Sequence, residues 1–138
     1  MSLLSHLNYL HILIASVVGF VFGWLWYSVL FGKAWAAEMK IPEEKMKDCK
    51  SGMGASLVKG FICTFVSTVG LAMLLALHPF VSWVKGAELG AAVGLLLVGA
   101  RFLNIGIWEQ RSCKLQAINL WHEVLLFALQ GAVLVACS

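Results

Sequence analysis

The chain has 138 residues, 61% of them hydrophobic and 12% charged, with a formal charge of +3. Its mean hydropathy is +0.89. A soluble domain is about 45–50% apolar and about 25% charged, because a small body has a large surface to cover. The composition therefore excludes an ordinary soluble domain, a disordered chain and a nucleic-acid-binding protein.

A membrane-crossing helix needs about 20 mostly apolar residues to pass about 30 Å of hydrocarbon. Four stretches meet that length: Tyr9 to Phe31, Ser56 to His78, Gly86 to Trp108 and Gln116 to Cys137. None alternates apolar with polar residues, as a barrel strand would. Backbone polar groups cannot be left bare in lipid, so the runs are read as helices. The expected fold is an all-α, four-helix transmembrane bundle forming one membrane domain over residues 1–138.

The first span resembles a secretion signal only superficially. Residues 1–8 carry no Lys or Arg, and the run ends in Trp24, Trp26, Tyr27 and Phe31 rather than small residues. A signal peptide has a basic start, a shorter apolar core and a small-residue cleavage site. The span is read as retained.

The loop after it, residues 32–55, holds Lys33, Lys40, Lys45, Lys47 and Lys50 against four acids. Within it, Pro42, Glu43 and Glu44 resemble a helix start, and Gly52 a stop. A short amphipathic segment between helices one and two is expected. The loop between spans three and four adds Arg111 and Lys114, whereas the opposite side carries only Lys85. Lysine and arginine collect on the cytoplasmic side. Loops one and three are therefore assigned to the cytoplasm, both termini to the outside, and the whole to a bacterial inner membrane.

Read at 100° per residue, each span has one special face. These faces are Ser16, Gly19, Gly23, Trp26 and Tyr27 on helix one, and Ser56, Gly60, Cys63, Ser67 and Gly70 on helix two. On helix three the face is Gly86, Gly90, Gly94, Arg101, Asn104 and Trp108. On helix four it is Gln116, Asn119, Glu123 and Gln130. Small residues let membrane helices approach closely, and polar side chains bond across them. Gly19/Gly23 and Gly90/Gly94 are GxxxG pairs and candidates for a homo-oligomer face.

Arg101 and Glu123 each fall seven residues, or about 10 Å, inside the cytoplasmic end of their helices. Equal depth on neighbouring antiparallel helices predicts an ion pair. An isolated charge at such depth costs at least about 2–3 kcal/mol. Trp24, Trp26, Trp35, Trp108 and Trp121 crowd the same half of the bundle. The candidate ligand or proton site is therefore Trp26, Tyr27, Arg101, Asn104, Asn119 and Glu123, with Glu123 as the proton carrier.

No catalytic motif is visible. His122 and Glu123 adjoin, but neighbours on a helix point about 100° apart. There is no CxxC and no HExxH. His6 and His11 alone do not make a metal site. No cofactor, metal or enzymatic activity is expected, and the only partners anticipated are membrane lipid, a small ligand of unknown identity and a second copy of the chain.

The run Gly23 to Trp35 contains the pattern W-Y-S-x-x-F-G-x-x-W, carried by Trp26, Tyr27, Ser28, Phe31, Gly32 and Trp35. It resembles the signature of a family of small four-helix integral membrane proteins of bacteria and fungi, classed as a domain of unknown function. The resemblance extends over nearly the whole chain. It implies that these six residues form a structural or functional hub, and it assigns no activity. The functional expectation is a homo-oligomeric transporter or small-ligand-binding bundle, with a non-catalytic accessory protein as the alternative.

Overall fold

The computed structural model describes residues 3–38, 53–77 and 82–138. Among the described residues, four helical spans are long and apolar enough to cross a membrane: Tyr9–Leu30, Gly54–Ala76, Trp83–Trp108 and Cys113–Cys137. No strand occurs among the described residues. The protein is an all-α, multi-pass membrane protein.

After a 3-10 turn at Leu3–His6, the first span consists of α1 (Tyr9–Trp24) and a π-helical turn at Leu25–Leu30. A short helix, α2 (Gly32–Glu38), follows, and α3 (Met53–Ala76) is the second span. The third span is α4 (Trp83–Val93), a π-helical turn at Gly94–Gly99 and α5 (Ala100–Trp108). The fourth is α6 (Cys113–Cys137). The helix expected to start at Pro42 lies outside the described residues.

Polar caps move two boundaries outward from the hydropathy reading. Ser82 Oγ accepts from Val84 N at 3.1 Å, starting α4 at Trp83 rather than Gly86. Ser112 Oγ accepts from Leu115 N at 3.1 Å and also donates to the Glu38 carboxylate. One serine thus caps α6 and ties α2 to the third loop. Asn8 Oδ1 caps α1 by accepting from the amides of Leu10 and His11.

The fourth span is the hub of the bundle, and its tightest partner is α4. Gly86, Gly90 and Gly94 lie against the backbone of α6 at Gly131, Phe127 and Glu123. A Cβ at Gly94 would come within 2.6 Å of the Glu123 carbonyl oxygen, so only glycine permits this approach. The four glycines offered for a homo-oligomer face all turn toward α6 of their own chain: Gly19 meets Gln130, Gly23 meets His122, and Gly90 and Gly94 meet backbone. Close packing within the chain uses the surface that GxxxG pairing would need.

The π-helical turn in the third span corrects the face assigned to Arg101. A plain helix would carry the line Gly86, Gly90, Gly94 onward to Arg101, Asn104 and Trp108. The i→i+5 turn inserts one residue, rotating the following helix by about 100°. The buried line therefore continues through Gly99 and Gly106. Arg101 and Asn104 are exposed, and Trp108 is 81% exposed.

The face assigned to the second span is also turned. Ser56, Cys63 and Gly70 are exposed, while Thr68, Leu71, Ala72 and Leu75 are buried. Here α3 meets α1 through side chains rather than bare backbone, with Phe61 edge-on to Phe20 at 5.7 Å. Leu71, Ala72 and Leu75 join Ile12, Ala15, Phe127 and Leu134 in the apolar core.

Candidate functional site

The π-helical turn in the first span presents two consecutive aromatic residues to α6. Trp26 Nε1 donates to the Ile118 carbonyl at 3.2 Å, and Tyr27 OH donates to Asn119 Oδ1 at 2.8 Å. Both bonds cross between spans 92 positions apart in sequence. The turn closes with Phe31 N donating to the Trp26 carbonyl at 2.9 Å, after which Trp35 N donates to the Phe31 carbonyl at 2.8 Å. Four of the six signature residues are thereby brought into one knot: Trp26 packs on Phe31 at 4.5 Å, and Tyr27 on Trp35 at 5.9 Å, while Ser28 is exposed.

Inside this knot sits His122. Its ring stacks on Phe22 at 5.7 Å and 12°, and lies 4.7 Å from Tyr27 and 6.2 Å from Trp26. Its Nδ1 is 3.0 Å from Glu123 Oε1. The two side chains are 10% and 13% exposed. The other ring nitrogen, Nε2, is buried and has no hydrogen-bond partner. Gly23 lies over it: a Cβ there would be 3.3 Å from Nε2.

Of the six residues expected to form the site, Trp26, Tyr27, Asn119 and Glu123 are gathered around His122. Arg101 and Asn104 are not. The expected Arg101–Glu123 ion pair does not form. Glu123 pairs with His122 instead, because the π-helical turn directs Arg101 away. His122 is the residue that the site reading lacked. Its signal was the series Asn119, His122, Leu126 and Gln130, which keeps one α6 face buried. Adjacent side chains on a helix start apart, but both can lean along its surface and meet at their tips.

A second polar knot lies two turns further along α6. Gln130 is fully buried, and its Nε2 donates to Thr68 Oγ1 at 2.8 Å and to the Ala15 carbonyl at 3.3 Å. Thr68 in turn donates to the Thr64 carbonyl at 2.7 Å. Apolar Leu126 and Phe127 separate this knot from His122. Among the described residues, no group of three His, Cys, Asp or Glu side chains converges to hold a metal ion.

No curated protein and no solved structure matches the chain. The family described as "Protein of unknown function (DUF1761)" matches residues 10–135. With nearly the whole chain matched, this protein belongs to the DUF1761 family.

Proposed function

We propose that the chain is a proton-carrying, small-ligand-binding membrane bundle whose working centre is the His122–Glu123 pair. One observation carries this reading: a buried imidazole holds a carboxylate at 3.0 Å while its second nitrogen stays unpartnered inside an aromatic enclosure. With a neutral imidazole and a carboxylate, the pair has a net charge of −1. Uptake of one proton by Glu123 gives a neutral carboxyl beside a neutral imidazole, net zero. Lipid penalises net charge strongly, so the two states differ in what they tolerate nearby. Nε2 is the atom left to bond a ligand, and Tyr27 and Asn119 hold the adjoining wall. The reading is of binding and carriage, not catalysis.

Transport by four helices calls for more than one copy. Arg101 and Asn104 supply a reason for self-association, since they are exposed, with no polar partner among the described residues, on a span that must sit in lipid. A second copy placed on the Arg101–Asn104–Trp108 face would shield them. The orientation in this reading puts loops one and three in the cytoplasm, as the lysine and arginine distribution favours.

The alternative is an accessory protein that stabilises a partner. The glycine seam between α4 and α6 favours it, because that half of the bundle is packed backbone to backbone. Liposomes containing a pH-sensitive dye and an imposed potassium diffusion potential separate the two readings. Proton entry should exceed that of empty vesicles and fall to their level in Glu123→Gln. Entry equal to that of empty vesicles for the unmodified chain would favour the accessory role.

A further inference from the structure

Beside Trp26, α6, α2 and the end of the first span form an open cleft of about 480 Å³ whose lining does not include His122. Its walls include Trp26, Phe31, Ile118, Trp121 and Leu125, and among the described residues the only charged one on it is Lys114. The geometry points to a binding site for an anionic phospholipid, with one acyl chain in the cleft and the headgroup phosphate at Lys114.

Three observations support that occupant. The first is length. Lys114 and Leu125 are 11 positions apart on one helix, which is about 16 Å along its axis. One leaflet's share of the hydrocarbon is about 15 Å. The cleft therefore runs from the membrane surface to the midplane, the reach of a single lipid chain.

The second is polarity. The lining is apolar along its depth and carries a positive charge only at its loop-three end. That is the polarity of an anionic lipid, whose charge sits at the surface and whose chain descends. The third is shape. Lys114, Ala117, Ile118, Trp121 and Leu125 repeat at three- and four-residue steps along one α6 stripe. The small side chain of Ala117 leaves a furrow between Lys114 and Trp121, with Phe31 and Ala34 forming the facing wall. The volume lies in the usual range for a small-molecule site, about 300–1,000 Å³.

Tryptophan quenching by brominated lipid tests this directly. The whole chain is reconstituted in phosphatidylcholine vesicles containing a fixed minor fraction of phosphatidylglycerol. Either lipid carries bromine at mid-chain, and the Trp121 signal is taken as the difference from Trp121→Phe. The anionic lipid should be enriched about fivefold beside Trp121, the factor expected for one lysine near a membrane surface. Lys114→Gln should remove that preference. Ala117→Phe should lower quenching by both lipids, because it fills the furrow. Both substitutions fall at exposed positions. Equal quenching per mole fraction of the two lipids in the unmodified chain would overturn the assignment. So would a preference that survives in Lys114→Gln, or quenching indifferent to Ala117→Phe.

Discussion

Gln130 shows how a single polar residue is accommodated in this bundle. It has no solvent exposure, and its amide nitrogen bonds across to two other spans. Its Oε1 is buried without a partner. One end of the amide contributes to packing while the other opposes it. Hydrogen bonds between membrane helices average only about 0.6 kcal/mol, whereas a stranded buried polar atom costs about 1–3 kcal/mol. Gln130→Leu is therefore expected to change stability by less than about 1 kcal/mol. Thr68→Val keeps Gln130 but removes its side-chain acceptor, and it should cost about 1–2 kcal/mol. The double substitution should recover part of that loss, which unfolding midpoints in mixed micelles would reveal. A Gln130→Leu variant more damaging than Thr68→Val would reverse this ranking.

At the scale of elements, all four spans were legible, and their rotation was legible for the first and fourth but not for the second and third. Composition and length located all four spans within a few residues, because hydrocarbon thickness fixes them. The caps at Ser82 and Ser112 moved two starts outward, for the ordinary reason that polar side chains satisfy free amides. The face of the third span could not be read, because a π-helical turn at Gly94–Gly99 adds one residue to the count. An apolar run of Leu95, Leu96, Leu97 and Val98 offers nothing to distinguish α from π spacing. A third of the candidate site depended on that count. Trp26, Tyr27, Asn119 and Glu123 lie on spans whose phase was read correctly and came together, while Arg101 and Asn104 follow the extra residue and did not. His122 was passed over because adjacent helix residues diverge at Cβ, though their tips can still meet.

The end of the third span offers an element-scale test. Gln110 N donates to the Ile107 carbonyl at 3.2 Å and Arg111 N to the Gly106 carbonyl at 2.9 Å. These bonds make a Schellman motif, and Gln110 occupies its left-handed position at φ 54°. Such a conformation costs an ordinary residue about 1–2 kcal/mol. Gln110→Gly should raise the unfolding midpoint by an amount corresponding to about 1 kcal/mol. A lowered midpoint would mean that the Gln110 side chain contributes more than its backbone strain removes.

Two questions belong to the whole molecule: which way it faces and what it stands beside. Among the cysteines, Cys137 ends the last span, Cys113 starts it, and Cys49 lies in the first loop. In intact cells an impermeant thiol reagent should label Cys137 and leave Cys49 and Cys113 unlabelled. The reverse pattern would invert the orientation. The Arg101–Asn104–Trp108 face should lie against a second copy. In a background without native cysteines, Asn104→Cys should form a disulfide-linked dimer on mild oxidation, and Leu77→Cys, on another span, should not. Equal yields at the two positions would remove the self-association face.

The central claim is that Glu123, held by His122, carries an exchangeable proton inside the bundle. Infrared difference spectroscopy of the chain in membranes, recorded while pH is stepped, reads that proton most directly. A carboxyl band that responds to pH should be present in the unmodified chain. It should be lost in Glu123→Gln and change its frequency in His122→Gln, which removes the partner at 3.0 Å. The same band persisting unchanged in Glu123→Gln would contradict the account.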